Sequence, residues 1–221
     1  MPRGTALYLR RIAKDRHGTP KQLAKRCADH GLRWIAIGAL WQDLTKAGNP
    51  TSKMINDVET IERYSDAFMD KGVEPYIWGY PWQGREEAFV EAMLAVDKYG
   101  RILLDPELGS NPSRDAKGPG KRAADNHATK LVRLFAEATT PETVLGLSTY
   151  GGGYRMKWFP LIAFTRALLQ HFRCGRTFIG GQTYTVPADL VDTSIADMVK
   201  VIEKVGGVVM GAERRDRKSV V

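Results

Sequence analysis

Arg101-Ile-Leu-Leu-Asp105-Pro-Glu107 is the stretch on which the reading of the fold turns. Gly100 precedes it, and a short apolar run bounded in this way predicts a buried strand. An extended backbone points residues two apart to the same side, so Asp105 and Glu107 share a face at the strand's end. Two acids there are costly unless solvated, paired or used. Paired carboxylates at the C-terminal mouth of a parallel barrel are what hydrolysis of a glycosidic bond requires. The competing reading makes Asp105 the cap of a turn begun by Pro106, with Glu107 a solvated loop residue.

Outward from this stretch, strand and helix patterns alternate. Strands are predicted at Thr5 to Leu9, Arg33 to Ala39, Val73 to Gly79, Arg101 to Asp105, Thr143 to Thr149, Thr177 to Gln182 and Val208 to Ala212. Helices fall between them. One runs from Pro20 to His30, with Thr19 as N-cap and Gly31 closing it. Asn56 or Asp57 opens a second, whose apolar positions Val58, Ile61, Tyr64, Ala67 and Phe68 recur at helical spacing. Others are predicted at Glu86 to Tyr99, from about Arg122 to Ala138, Phe159 to Phe172, and Ala188 to Val205. This period indicates parallel βαβ units with right-handed crossovers. The predicted fold class is α/β, a compact or incomplete (β/α) TIM-like barrel of about seven to eight parallel strands. A doubly wound nucleotide-binding sheet fits less well, because no Gly-rich phosphate fingerprint follows the first strand. Gly151-Gly-Gly153 lacks the lysine and hydroxyl of a phosphate loop and reads as a flexible mouth loop. Neither an internal repeat nor a linker is visible. One barrel domain over residues 1–213 with a basic tail over 214–221 is expected.

Composition bounds the function. The chain has 221 residues, 43% hydrophobic and 26% charged, as an ordinary globular protein has. No apolar run is long enough to cross a membrane. Met-Pro-Arg-Gly-Thr opens without an apolar core and small-residue cleavage site, so synthesis in the cytoplasm without a signal peptide is expected. Cys27 and Cys174 are too far apart, and too lonely, to suggest a disulfide scaffold or zinc site. His17, His30, His127 and His171 show no ligand spacing, so neither metal nor organic cofactor is expected. The balance of 33 basic against 25 acidic residues gives +8 and favours polyanionic partners. Ser110 to Arg122 reads as a mobile basic loop, and Arg214 to Lys218 as a frayed terminus or interaction tail. Neither interleaves aromatics with base-reading side chains, which argues against nucleic acid.

In such a barrel the residues just after each strand converge on one face. That places Trp41, Gln42 and Asp43 together with Trp78, Tyr80 and Trp82, with Asp105 and Glu107, and with Tyr150, Gln182, Tyr184 and Glu213. Rings beside carboxylates and an amide suit a sugar, since planes stack on pyranose faces and polar groups fix hydroxyls. For any single tryptophan, closing the barrel top is the stronger reading. The clustering of Trp41, Trp78, Tyr80 and Trp82 weighs against it for the set.

The patterns Tyr76-Ile-Trp78-Gly-Tyr80, Ile102-Leu-Leu-Asp105-Pro-Glu107, Gly146-Leu-Ser-Thr-Tyr150 and Gly181-Gln182-Thr-Tyr184 resemble glycoside hydrolase family 25 lysozymes and related phage glycoside-hydrolase-like barrels. The resemblance follows element order over most of the chain and specific residues only at these patches. It implies Glu107 as catalytic acid with Asp105 assisting, while the mouth residues Trp78, Tyr80, Trp82, Tyr150, Gln182, Tyr184 and Asp43 are the expected substrate contacts. It also implies a cell-wall or other N-acetylated polysaccharide as partner. One departure stands out. Where the lysozymes carry an aspartate after strand one, this chain has Leu7-Tyr-Leu-Arg10-Arg11. A cation near the pair would stabilise ionised Glu107, the wrong form for a proton donor. Two expectations therefore stand: a glycosidase acting through Glu107 and Asp105, or a catalytically silent barrel. The silent barrel would bind carbohydrate or serve as a phage virion or tail component among phage structural proteins, assembled into the virion or released at lysis.

Overall fold

The computed structural model describes residues 6–43, 51–106, 119–150, 160–173 and 175–182, with positions 196, 199–200 and 203–205. The elements run β1 (Ala6–Leu9), α1 (Lys14–His17), α2 (Pro20–Asp29), β2 (Trp34–Asp43), β3 (Thr51–Met54), α3 (Val58–Met69), β4 (Glu74–Gly79). They continue with α4 (Glu86–Val96), β5 (Arg101–Leu104), α5 (Pro119–Ala138), β6 (Val144–Tyr150), α6 (Leu161–His171) and β7 (Thr177–Gln182). The expected strand at 208–212 and the basic tail lie outside the described residues, as does most of the expected helix over 188–205.

Local chemistry accounts for the helix starts. At Thr19 the hydroxyl accepts from the Gln22 amide while the Gln22 side chain accepts from the Thr19 amide, with Pro20 at the first helical position. Asp57, not Asn56, caps α3, accepting from Thr60 N and Oγ1 at 2.8 Å each. Helix α4 stops at Val96, short of Tyr99, because the Asp97 carboxylate accepts from the Tyr99 and Arg101 amides and turns the chain into β5. Helix α5 begins at Pro119, so the end of the presumed basic loop forms its first turn.

Six strands are parallel in the order β1-β2-β4-β5-β6-β7. The seventh, β3, pairs antiparallel with the far end of β2, a hairpin that sequence reading did not foresee. The sheet is strongly curled. In a flat sheet β2 and β7 stand four strand spacings apart, roughly 19 Å. Their inward rings, Trp34 and Phe178, have centroids 6.2 Å apart. Tyr8 of β1 likewise donates to Ser148 Oγ of β6 at 3.0 Å. Among the described residues no ladder joins β7 to β1, so the result is an incomplete α/β barrel with helices outside.

The two faces are chemically different. Outward Ile35, Ile37, Ile77, Ile102, Leu104, Leu145 and Leu147 pack under helix residues such as Leu23, Phe68, Phe89, Met93, Leu131, Phe135, Phe164 and Leu168. Each fully buried side chain of this size stabilises by about 1.5–3 kcal/mol relative to exposure. The concave face instead holds rings: Trp34, Tyr76, Trp78 and Phe178 with Ala36, Leu103 and Val144. Gly146 makes room for them, since a Cβ there would sit 2.3 Å from Phe178 Cζ. Among the described residues no helix is long and apolar enough to cross a membrane.

Candidate functional site

The parity of each strand decides what reaches the concave face. On β4, Tyr76, Trp78 and Tyr80 alternate with outward Ile77 and Gly79, and on β5 Leu103 is followed inward by Asp105. Asp105 continues the ladder through its amide, which donates to Gly79 O at 2.9 Å, and its side chain is 5% exposed. It lies within electrostatic reach of Tyr8. Burial pushes the Tyr8 phenol well above its ordinary range, the Ser148 hydrogen bond opposes the rise, and the Asp105 carboxylate adds to it. Tyr8 therefore remains a protonated donor at any physiological pH.

The rings form two linked groups. Trp34 meets Tyr8, Tyr76 and Phe178 edge-on at centroid distances of 6.1, 5.5 and 6.2 Å, deep in the barrel. Nearer the mouth, Trp41 meets Trp78 at 5.8 Å and Tyr80 at 5.4 Å, and Tyr80 lies 6.3 Å from Trp82. Trp78 and Tyr80 are buried in this stack, whereas Trp41 and Trp82 keep partial exposure. Within the stack Trp78 Nε1 is a buried donor with no hydrogen-bond partner among the described residues. Arg10, at the end of β1, lies with its guanidinium carbon 4.0 Å from the Trp41 ring centroid. This cation therefore stands at the mouth, stacked on a tryptophan.

Asn56 fixes this rim. Buried between β2 and α3, it accepts from Ile12 N at 2.9 Å and donates from Nδ2 to Gly38 O at 2.7 Å and Arg10 O at 3.2 Å. The backbones it joins are in contact, for a Cβ at Gly38 would fall 2.5 Å from Arg10 O. Asn56→Ala strands an amide and two carbonyls, and is expected to cost about 2 kcal/mol, lowering Tm by roughly 4–8 °C. Thermal unfolding followed by circular dichroism checks this, and an unshifted midpoint refutes the clamp.

Of the residues singled out by sequence, Asp105, Trp78, Tyr80 and Trp82 come together on the concave face and mouth. Asp43, Tyr150 and Gln182 end β2, β6 and β7, with side chains outside the described residues. Glu107 and Tyr184 lie outside the described residues altogether, as do Gly151 to Gly153 and Glu213. Sequence reasoning missed Tyr8 and Ser148. Their signal was parity alone: Tyr8 alternates with Leu7 and Leu9, and Ser148 with Leu147 in step with Gly146. A second cluster, Glu86 with His127 and Lys130, sits in the helical layer between α4 and α5. Among the described residues no group of three or more acidic, histidine or cysteine side chains could hold a metal.

No protein-family model and no curated protein matches the sequence. Among solved structures the chain is similar to a GH5-4 broad specificity endoglucanase from Clostridium longisporum, with TM-score 0.53 and 11% identity, covering 85% of this chain and 64% of that one. It is also similar to a D-psicose 3-epimerase from Clostridium cellulolyticum H10, with TM-score 0.43 and 14% identity over 86% of this chain and 70% of that one. At such identities the likeness to the endoglucanase is one of fold, and the chain spans less than two thirds of that enzyme's length.

Proposed function

We propose that this barrel binds and cleaves a cell-wall or other N-acetylated polysaccharide laid across its mouth. The carrying observation is Asp105, a carboxylate buried just past β5 on a concave face rich in aromatic rings. In this reading Glu107 protonates the leaving glycosidic oxygen as the C1–O bond breaks. Asp105 stabilises the positive charge on the ring carbon or orients a substrate acetamide, water adds at C1, and its proton returns to Glu107. Tyr8, hydrogen-bonded to Ser148, lies within electrostatic reach of Asp105, and Trp41 and Trp82 offer the partly exposed rings. The strand-end motifs of the lysozymes and the barrel fold support this reading. Arg10 at the mouth favours a second one, a barrel that holds the glycan without cutting it, as a virion component would.

The test is turbidity of purified cell walls after addition of the protein, with reducing ends assayed in parallel. Falling turbidity with new reducing ends is expected, and Trp82→Ala is expected to weaken retention on sedimented walls by up to about tenfold. Retention without lysis at any pH or salt selects the second reading. Absence of retention sinks both.

A further inference from the structure

Beside the mouth, between the end of β1 and α1, lies a cavity of about 520 Å³ whose lining includes Tyr8, Arg10, Arg11, Asp15, Arg16 and His17. Three arginines and one carboxylate residue line it. Elsewhere on the helices some basic side chains are paired in place, as in Lys25 with Asp29, Lys121 with Asp125 and Arg133 with Glu137. Among the described residues Arg10, Arg11 and Arg16 form no ion pair, and Arg11 and Arg16 are exposed.

The segment that carries them is held firmly although it contributes little to any core. No residue of α1 is buried. Asn56 grips it at Arg10 O and Ile12 N, Tyr64 donates to Gly18 O at 2.6 Å, and Arg26 donates to His17 O. Three side chains from α2, α3 and the turn before α3 thus order a polar, cationic loop. Holding such a loop in one shape lowers what a ligand must spend in ordering it. Tyr8, 44% exposed, lines the cavity while its hydroxyl reaches Ser148 inside the barrel, so one residue borders both.

We propose that this cavity is a subsite for an anionic substituent, carboxylate or phosphate, on the glycan that occupies the mouth, with Arg11 and Arg16 as its ligands and Arg10 bridging to the ring stack. Planar guanidinium forks match both oxyanions, and several together give selectivity for charge over a neutral hydroxyl. The inference rests on the glycan reading of the mouth and adds the substrate's charge class to it.

The experiment measures equilibrium binding, by tryptophan fluorescence, of three oligosaccharides of equal length: a neutral N-acetylated one, one bearing carboxylates and one bearing phosphomonoesters. Wild type is expected to bind at least one charged form about tenfold more tightly than the neutral form at low ionic strength. The better charged form identifies the oxyanion. The ratio is expected to fall toward one in Arg11→Gln/Arg16→Gln and in high salt. Equal affinity of wild type for charged and neutral forms, or a preference that survives the double replacement, overturns the subsite while leaving the mouth's reading intact. Tighter binding of a single-stranded oligonucleotide than of any glycan overturns it in favour of nucleic acid. If no oligosaccharide binds, the glycan reading of the mouth fails, and this inference falls with it.

Discussion

Replacing Asp105 with Asn is expected to lower glycan hydrolysis by about 10²- to 10⁴-fold, and Glu107→Gln by a similar factor. Each change keeps size and nearly keeps shape while removing a negative charge or an exchangeable proton from the reacting centre. Their signatures should differ. Asp105 lies within electrostatic reach of Tyr8, so Asp105→Asn removes a lesser contribution to the raised Tyr8 phenol, whose main cause is burial, and should bring its titration down slightly. Ultraviolet titration of the tyrosines detects this without any assay of turnover. Hydrolysis unimpaired in both variants eliminates the carboxylate pair as catalysts. A lowered Tyr8 titration with no activity in wild type keeps the geometry and assigns the barrel to binding.

Glu86→Ala is expected to destabilise the fold by about 3–5 kcal/mol, because it leaves His127 and the α4 entry buried without their acceptor. Glu86 is 4% exposed and accepts from His127 Nδ1 at 2.6 Å, Gly84 N at 2.8 Å and Lys130 Nζ at 3.3 Å. An ionised carboxylate only accepts, so the shared proton resides on Nδ1. Burial pushes the Glu86 pKa up, but the hydrogen bonds from His127 and Gly84 outweigh it and hold it down to about 2. A folded value below the unfolded one stabilises fully above the unfolded value. That contribution is lost as pH falls from about 4.5 toward 2. Urea unfolding across this window should show stability falling with acid in wild type. The dependence should be much shallower in a Glu86→Leu/His127→Leu pair, which is expected to recover much of the loss caused by Glu86→Ala. Equal acid sensitivity in wild type and pair removes Glu86 as the cause.

Strand order and helix starts were legible because glycine, proline and capping residues punctuate apolar runs of clear period, as Thr19-Pro20 and Asp57 do. Hairpin strand β3 was not, since Thr51-Ser-Lys-Met54 has no apolar alternation and is held by pairing with Leu40 to Asp43. Helix α1, Lys-Asp-Arg-His, buries nothing and depends on distant Asn56 and Tyr64, which no local pattern reveals. The gathering of Trp78, Tyr80, Trp82 and Asp105 was legible from their places at strand ends, whereas the rings within strands were not. Trp34, Tyr76 and Phe178 read as ordinary strand aromatics until curling brings β2 and β7 together. The Tyr8–Ser148 contact joins residues 140 apart in sequence and exists only because of that curling.

The deep ring layer carries a consequence for how any long polymer is handled. With Trp34, Tyr76 and Phe178 locked edge to face across the interior, the barrel is a cup with a stopped base rather than a tube. A fibre can rest over the rim but has no way through. A glycan bound as proposed would therefore lie across the rim and not thread along the barrel axis.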